Sequence, residues 1–380
     1  MATARRRACR WLRWWLPAAA CLPLAVWAAQ LRLGAVLGEA DADGFARADA
    51  PVEFAFPRDH GAHPDFRSEW WYVTASLEDP DGRRFGVQFT LFRQALAPRP
   101  LTGGPWDAWQ IYLGHLAVTD VAGGRHLHAE RLSRGHPRLA GARVEPAADG
   151  GPRLRAMVDG WRLEGEGAGL DRIAIQAATA ELAVDLSMDA VKPIVLQGDR
   201  GLSAKGPNQA SYYYSLPRLA VAGQVTVDGR VRQVTGTAWL DREWSTSVLS
   251  AGQRGWDWFG LQLDDGTELM AFQLRRDGGL RDPYDQGLWV DGAGRAVQLR
   301  TQDFTMAPLR HWRDEQGVAW PVAWRISLMT PDGPRALTVE AALDDQRMET
   351  LFTYWEGLVT VRDEAGEDIG TGYMELTGYD

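Results

Sequence analysis

The chain has 380 residues, 45% hydrophobic and 24% charged, with 50 acidic against 41 basic residues and a formal net charge of −9. Such a length accommodates two domains, and beyond its first thirty residues the chain is acidic without a basic run, which argues against a nucleic-acid binder. Both cysteines, Cys9 and Cys21, lie near the start, so the remainder has no disulfide, thiol nucleophile or thiolate metal site.

Taken in chain order, the first element is a leader. Arg5, Arg6, Arg7, Arg10 and Arg13 precede an apolar run from Leu16 to Ala29, and Val26-Trp27-Ala28 resembles a small-residue cleavage site. Residues 1–28 therefore read as a secretory signal that sends the protein to the periplasm or outside the cell. Left uncleaved, the same segment would anchor the chain at the inner membrane. An Ala-, Asp- and Gly-rich stretch over 29–53 reads as a linker.

From there strand–turn–strand signals dominate. Trp71 to Glu78 leads through Pro80-Asp81-Gly82 into Phe85 to Phe92, and Leu113 to Asp120 is followed by the turn Ala122-Gly123-Gly124. Segments 153–165, 171–187, 221–227 and 230–238 continue the meander. Further on, Trp258 to Leu263 turns at Asp264-Asp265-Gly266 into Glu268 to Leu274. Trp324 to Met329 turns at Pro331-Asp332-Gly333 into Ala336 to Ala341, and Tyr354 to Val361 precedes the closing Gly372 to Leu376. Ala178 to Asp185 is the nearest approach to an amphipathic helix. Many short strands with Gly-bearing turns predict an all-β sandwich or barrel. The hairpins opening at Trp70 and at Trp256 share an aromatic start, an acid-Gly turn and a return strand ending in Arg93 or Arg275. That repetition predicts two β-domains, 54–235 and 236–380.

Two cassettes concentrate the chemistry: Glu69-Trp70-Trp71-Tyr72 and Trp239-Leu240-Asp241-Arg242-Glu243-Trp244-Ser245. On a strand, Trp239, Asp241 and Glu243 share one face, and Leu240, Arg242 and Trp244 the other. Two readings are open. The acids could line a pocket, where burial and mutual repulsion push one carboxyl toward its proton-donating form. Alternatively they could pair with Arg242, Arg254 or another arginine as a structural lock. His63 and Glu69 are candidate bases, and His115 is either a core histidine or a partner in proton transfer. Tyr212, Tyr213 and Tyr214 alternate faces, so one or two would line whatever the strands enclose. Of the eighteen tryptophans, the fourteen that follow the leader fit a Trp-rich core and an aromatic cavity equally well. No phosphate-cradling loop, dinucleotide fingerprint, nucleophile elbow or zinc-protease helix motif occurs, and no metal or cofactor is called for.

At these residues the chain resembles the AttH-like, carotenoid 1,2-hydratase-like (CrtC) family of the lipocalin superfamily. The resemblance rests on His63-Pro64-Asp65-Phe66 with Glu69 to Tyr72, on Ser211 to Ser215, and on Trp239 to Ser245. Gly255 to Leu263, Tyr354 to Gly357 and Gly372 to Tyr379 extend it to the C-terminus. It implies two lipocalin-like β-barrels in tandem. One branch of the family hydrates a terminal C=C bond, fungal relatives catalyse cycloadditions between domains, and the AttH-like branch is bacterial and associated with transport permeases.

Three functions follow as expectations. The first is an exported lipocalin-type protein that binds an apolar or amphiphilic molecule, a lipid or isoprenoid, for a membrane transport permease. Its ligand-binding set would comprise Trp70, Trp71, Tyr72, His115, Tyr212, Tyr213, Tyr214, Trp239, Trp244, Trp256 and Trp258. The second is a cofactor-independent hydratase with Asp241 or Glu243 as acid, His63 or Glu69 as base, and tryptophan faces around the cation. The third, a secreted hydrolase, would need Ser211 or Ser245 to be activated.

Overall fold

The computed structural model describes residues 43–100, 104, 108–247 and 249–379, which belong to one contiguous unit. The expected leader and the first part of the linker lie outside the described residues. Alternation of apolar and polar residues makes the strands, and tertiary pairing fixes which face each buries. The first sheet starts with β1 (Ser68–Glu78), β2 (Arg84–Ala95), β3 (Gln110–Asp120) and β4 (Arg125–Arg134). It continues with β5 (Ala140–Pro146), β6 (Pro152–Val158), β7 (Trp161–Glu166), β8 (Arg172–Ala178) and β9 (Leu182–Ala190). Short β10 (Val195–Leu196) and β11 (Leu202–Gly206) precede the long pair β12 (Gln209–Val227) and β13 (Arg230–Ser245).

The second sheet comprises β14 (Gln253–Leu263), β15 (Glu268–Arg276), β16 (Gln286–Val290), β17 (Ala296–Arg300) and β18 (Phe304–Arg313). It ends with β19 (Ala319–Thr330), β20 (Gly333–Ala341), β21 (Arg347–Glu349), β22 (Thr353–Arg362) and β23 (Asp368–Leu376). All pairings are antiparallel, and each sheet folds its last strand back onto its first: β13 pairs β1, and β23 pairs β14. The architecture is all-β, two lipocalin-like barrels in tandem. No helix among the described residues is long and apolar enough to cross a membrane.

Several expectations shift. Ala178 to Asp185 forms a turn and the start of β9, because Leu182, Val184 and Leu186 point into the first barrel while pairing with β12 holds the segment extended. Residue 235 falls inside β13, and the chain passes from first to second sheet between Ser245 and Gln253. The last residues of the expected linker are bound to the barrel: Ala48 is buried and Tyr212 donates to the Ala50 carbonyl at 2.9 Å.

Tryptophan serves both interiors. Trp71 and Trp161 fill the first barrel, and Trp289, Trp320, Trp324 and Trp355 the second. Where the two sheets meet, strands are buried on both faces, as in Ala238–Ser245 of β13. Gly86 permits the approach, since a Cβ there would lie 2.5 Å from Tyr373 Oη and 2.8 Å from Leu358 Cβ. A fully buried carboxylate, Glu268 on β15, clamps the sheets by pairing with Lys192 at 2.7 Å and Arg218 at 2.6 Å. Gln262 adds two donations from the second sheet, to the carbonyls of Pro217 (2.7 Å) and Ala238 (2.9 Å).

Candidate active site

The two cassettes are neighbours in space. β1 and β13 pair with Trp70 opposite Glu243, Trp71 opposite Arg242 and Tyr72 opposite Asp241. Strand parity then separates two assemblies on opposite faces of one sheet.

The face turned into the first barrel is a lock. Glu69 is fully buried between Arg93 and Arg242, and His63 Nδ1 lies 3.2 Å from its carboxylate. Burial alone would raise the Glu69 pKa; the two guanidiniums, Arg242 first, outweigh it and hold the carboxyl well below its usual range. The Arg242 guanidinium sits 3.8 Å over the Trp71 ring and donates to the carbonyls of His60, Gly61 and Trp70, while Trp71 Nε1 donates to His60 O at 2.9 Å. These contacts tie the short 3-10 turn Arg58–His60 across the barrel end. The second hairpin repeats the device: Arg275 on β15 pairs with buried Asp257 on β14 at 3.4 Å and stacks 3.7 Å from the Tyr379 ring.

The opposite face meets the second sheet around a cavity of about 90 Å³. Trp70, Phe92, Trp256, Trp258, Phe272 and Phe352 supply aromatic walls, and Thr90, Gln88, Tyr72, Tyr213 and Tyr354 polar ones. Five carboxyls and two cations also line it: Asp241, Glu243, Glu356, Glu375 and Lys205, with Glu69 and Arg93 of the lock at its edge. Glu243 pairs with Lys205 at 3.0 Å and accepts from Ser211. Asp241 accepts from Ser215 (2.5 Å), Tyr213 (2.6 Å) and Trp239 Nε1 (2.6 Å). Burial nonetheless raises the Asp241 pKa to about 7 against those three donors. Glu356 and Glu375 stand opposite each other on β22 and β23. Burial pushes Glu356 well above 4.5, with Glu375 adding to the effect, and raises Glu375 itself to about 7. Tyr72 donates to Glu356 Oε1 at 2.7 Å, whereas the buried Oε2 has no hydrogen-bond partner among the described residues.

Of the candidate residues, Asp241, Glu243, Trp70, Tyr72, Tyr213, Trp256 and Trp258 converge on the cavity. Trp239 stands behind Asp241 as its donor, and His115 lies behind Tyr354. Trp71, Tyr212, Tyr214 and Trp244 belong to the other face: Trp71 under Arg242, Tyr214 2.5 Å from His60 Nδ1, Tyr212 in the aromatic cluster with Trp244. His63 stacks on Trp244 at 3.8 Å, and Glu69, though at the cavity's edge, is held in the lock. Neither is a free base. Arg242 does clamp an acid, but that acid is Glu69 rather than Asp241 or Glu243.

Sequence reasoning missed Lys205, Glu356, Glu375 and Tyr354. A signal existed: Tyr354-x-Glu356 and Tyr373-x-Glu375 repeat the aromatic–x–acid alternation of Trp239-x-Asp241.

A pH prediction follows. A carboxyl whose folded pKa is raised makes the fold bind more protons than the unfolded chain, so its burial costs stability increasingly as pH climbs from the unfolded to the folded value. For Glu375 that window runs from 4.5 to about 7. Glu375→Gln should therefore raise the melting temperature relative to wild type at pH 8 and leave the difference small at pH 4. Calorimetry at both values checks this; an equal difference at both would remove the raised pKa.

A family model of AttH-like proteins matches residues 47–379. Among solved structures, an AttH protein from Nitrosomonas europaea is 35% identical with a TM-score of 0.74, the match covering 87% of this chain and 100% of that one. Kievitone hydratase from Nectria haematococca is 14% identical with a TM-score of 0.62, covering 88% of this chain and 98% of its own. CghA with Sch210972 is 12% identical with a TM-score of 0.57, covering 90% and 98%. No curated protein matches the sequence. The family match over almost all the described residues, joined to the 35% identity, shows that the chain belongs to the AttH-like family.

Proposed function

We propose that the cavity between the sheets is the active site of a cofactor-independent hydro-lyase that adds water across a C=C bond. The observation that carries this reading is Glu356: a buried carboxyl held in its neutral form, with an unpartnered Oε2 on a cavity walled by aromatic rings. Protonating an unactivated alkene needs an acid in a dry site and faces that stabilise a cation; Glu356 supplies the first, and Trp70, Trp256 and Trp258 the second. Asp241 and the Glu243–Lys205 pair add fixed charge and dipoles around the developing cation. A relative of the same fold carries hydratase in its name, which supports the class of reaction without identifying a substrate. About 90 Å³ is less than the ~150 Å³ of a cavity known to admit benzene, so the reacting segment of a larger molecule fits and the whole molecule does not. The test is incubation with acyclic terpenoid alkenes in H₂¹⁸O, read by mass spectrometry. Incorporation of labelled oxygen supports the reading; no incorporation with any alkene overturns it.

The second reading is binding without turnover of an apolar or amphiphilic molecule, favoured by the aromatic walls alone. It leaves unexplained why four carboxyls besides the locked Glu69 share the cavity, since each costs free energy to bury. In either case we propose that the leader exports the protein, to act beside a transport permease that supplies or removes the molecule. Mass measurement of protein from a periplasmic fraction should find a chain beginning at Ala29; an intact N-terminus in the membrane fraction would indicate an anchor instead.

A further inference from the structure

The hydration reading provides an acid but no acceptor for the proton that the attacking water must lose. The cavity wall supplies one. Tyr354 and Glu356 are two apart on β22 and both line the cavity, which sets their side chains roughly 7 Å apart on one face. That spacing leaves room between them for a water and a double bond, as the separated carboxyls of inverting glycosidases do for water and a sugar.

Behind Tyr354 runs a chain of hydrogen bonds out of the cavity. The Tyr354 hydroxyl lies 2.7 Å from His115 Nδ1, and His115 Nε2 lies 3.0 Å from Glu130 Oε2. His115 is fully buried, with the rings of Phe92 and Phe352 at 5.1 and 5.6 Å, whereas the Glu130 side chain is 27% exposed and reaches solvent. The backbone N–H of Leu351 holds the same Glu130 oxygen at 3.0 Å. The tautomer follows from the partners. Glu130, held ionised by His115 and that N–H, only accepts, so Nε2 carries the hydrogen. Burial keeps the imidazole neutral, so Nδ1 is free to accept from Tyr354. The order carboxylate–imidazole–hydroxyl is the one by which a base activates an oxygen nucleophile.

We infer that Tyr354, His115 and Glu130 form a proton relay behind the cavity wall, with Tyr354 touching the attacking water and Glu130 closing the relay at the protein surface. This rests on the hydration reading. Glu356 gives its proton to one alkene carbon, whose π pair forms the new C–H bond and leaves the neighbouring carbon cationic. The water oxygen forms the C–O bond there. Its proton passes to the Tyr354 oxygen as the phenol proton moves to His115 Nδ1, and the imidazolium is stabilised by the Glu130 carboxylate. After the product leaves, the Nδ1 proton returns through Tyr354 and a cavity water to Glu356, so every group regains its starting proton and His115 its Nε2–H tautomer.

Two measurements test it. In protein labelled with ¹⁵N-histidine, assigned with His115→Gln, His115 should be a single neutral species protonated at Nε2. Glu130→Leu should shift it at least tenfold toward the Nδ1–H form, and Tyr354→Phe should leave Nε2–H in place. An Nδ1–H or doubly protonated His115 in the wild type overturns the relay without any substrate. In the ¹⁸O assay, Tyr354→Phe and His115→Gln should each lower kcat at least tenfold with KM little changed. Full activity in both overturns the relay and leaves the Glu356 assignment standing; no activity in the wild type overturns the hydration reading itself.

Discussion

Glu69→Gln should destabilise the fold by about 3–5 kcal/mol, although the two side chains are nearly the same shape. Glu69 is the acid between two fully buried guanidiniums, Arg93 and Arg242. Neutralising it leaves both positive charges uncompensated, and Arg242 can no longer be held against Trp71 and the 3-10 turn without repulsion from Arg93. A loss of this size is a large share of the ~5–15 kcal/mol that stabilises a typical domain. Acid should produce the same failure: with its folded pKa depressed, Glu69 contributes stability above 4.5 that is lost as pH falls through the folded value. Urea denaturation followed by tryptophan fluorescence measures the first effect, and a shift below 1 kcal/mol would show that Glu69 is no keystone.

Glu356→Gln should do the reverse, harming chemistry while helping the fold. Removing the proton donor should slow hydration by about 10²–10⁴-fold, the usual contribution of a general acid. The amide keeps an acceptor for the Tyr72 hydroxyl and adds donors toward the cavity, and it relieves the opposition to Glu375. Melting temperature above neutral pH should therefore rise. Paired measurement of ¹⁸O incorporation and thermal stability checks both. A variant that keeps its rate, or that loses rate and stability together, would return Glu356 to architecture.

What the sequence made legible was parity. The alternation within Trp239–Ser245 correctly divides Trp239, Asp241 and Glu243 from Leu240, Arg242 and Trp244. It left open whether the acids formed a pocket or a lock, and the fold contains both, back to back, with Glu69 as the locked acid. Parity says which residues share a face; it does not say what covers that face. Trp71, Tyr214 and Trp244 were therefore as eligible for the cavity as Trp70, Tyr213 and Trp258. Lys205, Glu356 and Glu375 arrive at the site from strands distant in sequence, a juxtaposition only the packing of the two sheets creates. The hairpin repeat was legible and has a physical meaning: each returning arginine, Arg93 or Arg275, pairs with an acid on its opening strand.

The two-faced strand also makes this protein unusually intolerant of a change in length at one place. Inserting a single residue within 238–240 would rotate everything after it by half a turn of the pleat. Arg242 would then project into the aromatic cavity, and Asp241 and Glu243 into the first barrel beside Trp71. Substitutions there can be sorted by odd and even position, but an added or missing residue exchanges the two sets at once. Homologues should therefore differ in length at the exposed turns, such as 147–151 and 291–295, and keep the count between Trp239 and Ser245 fixed.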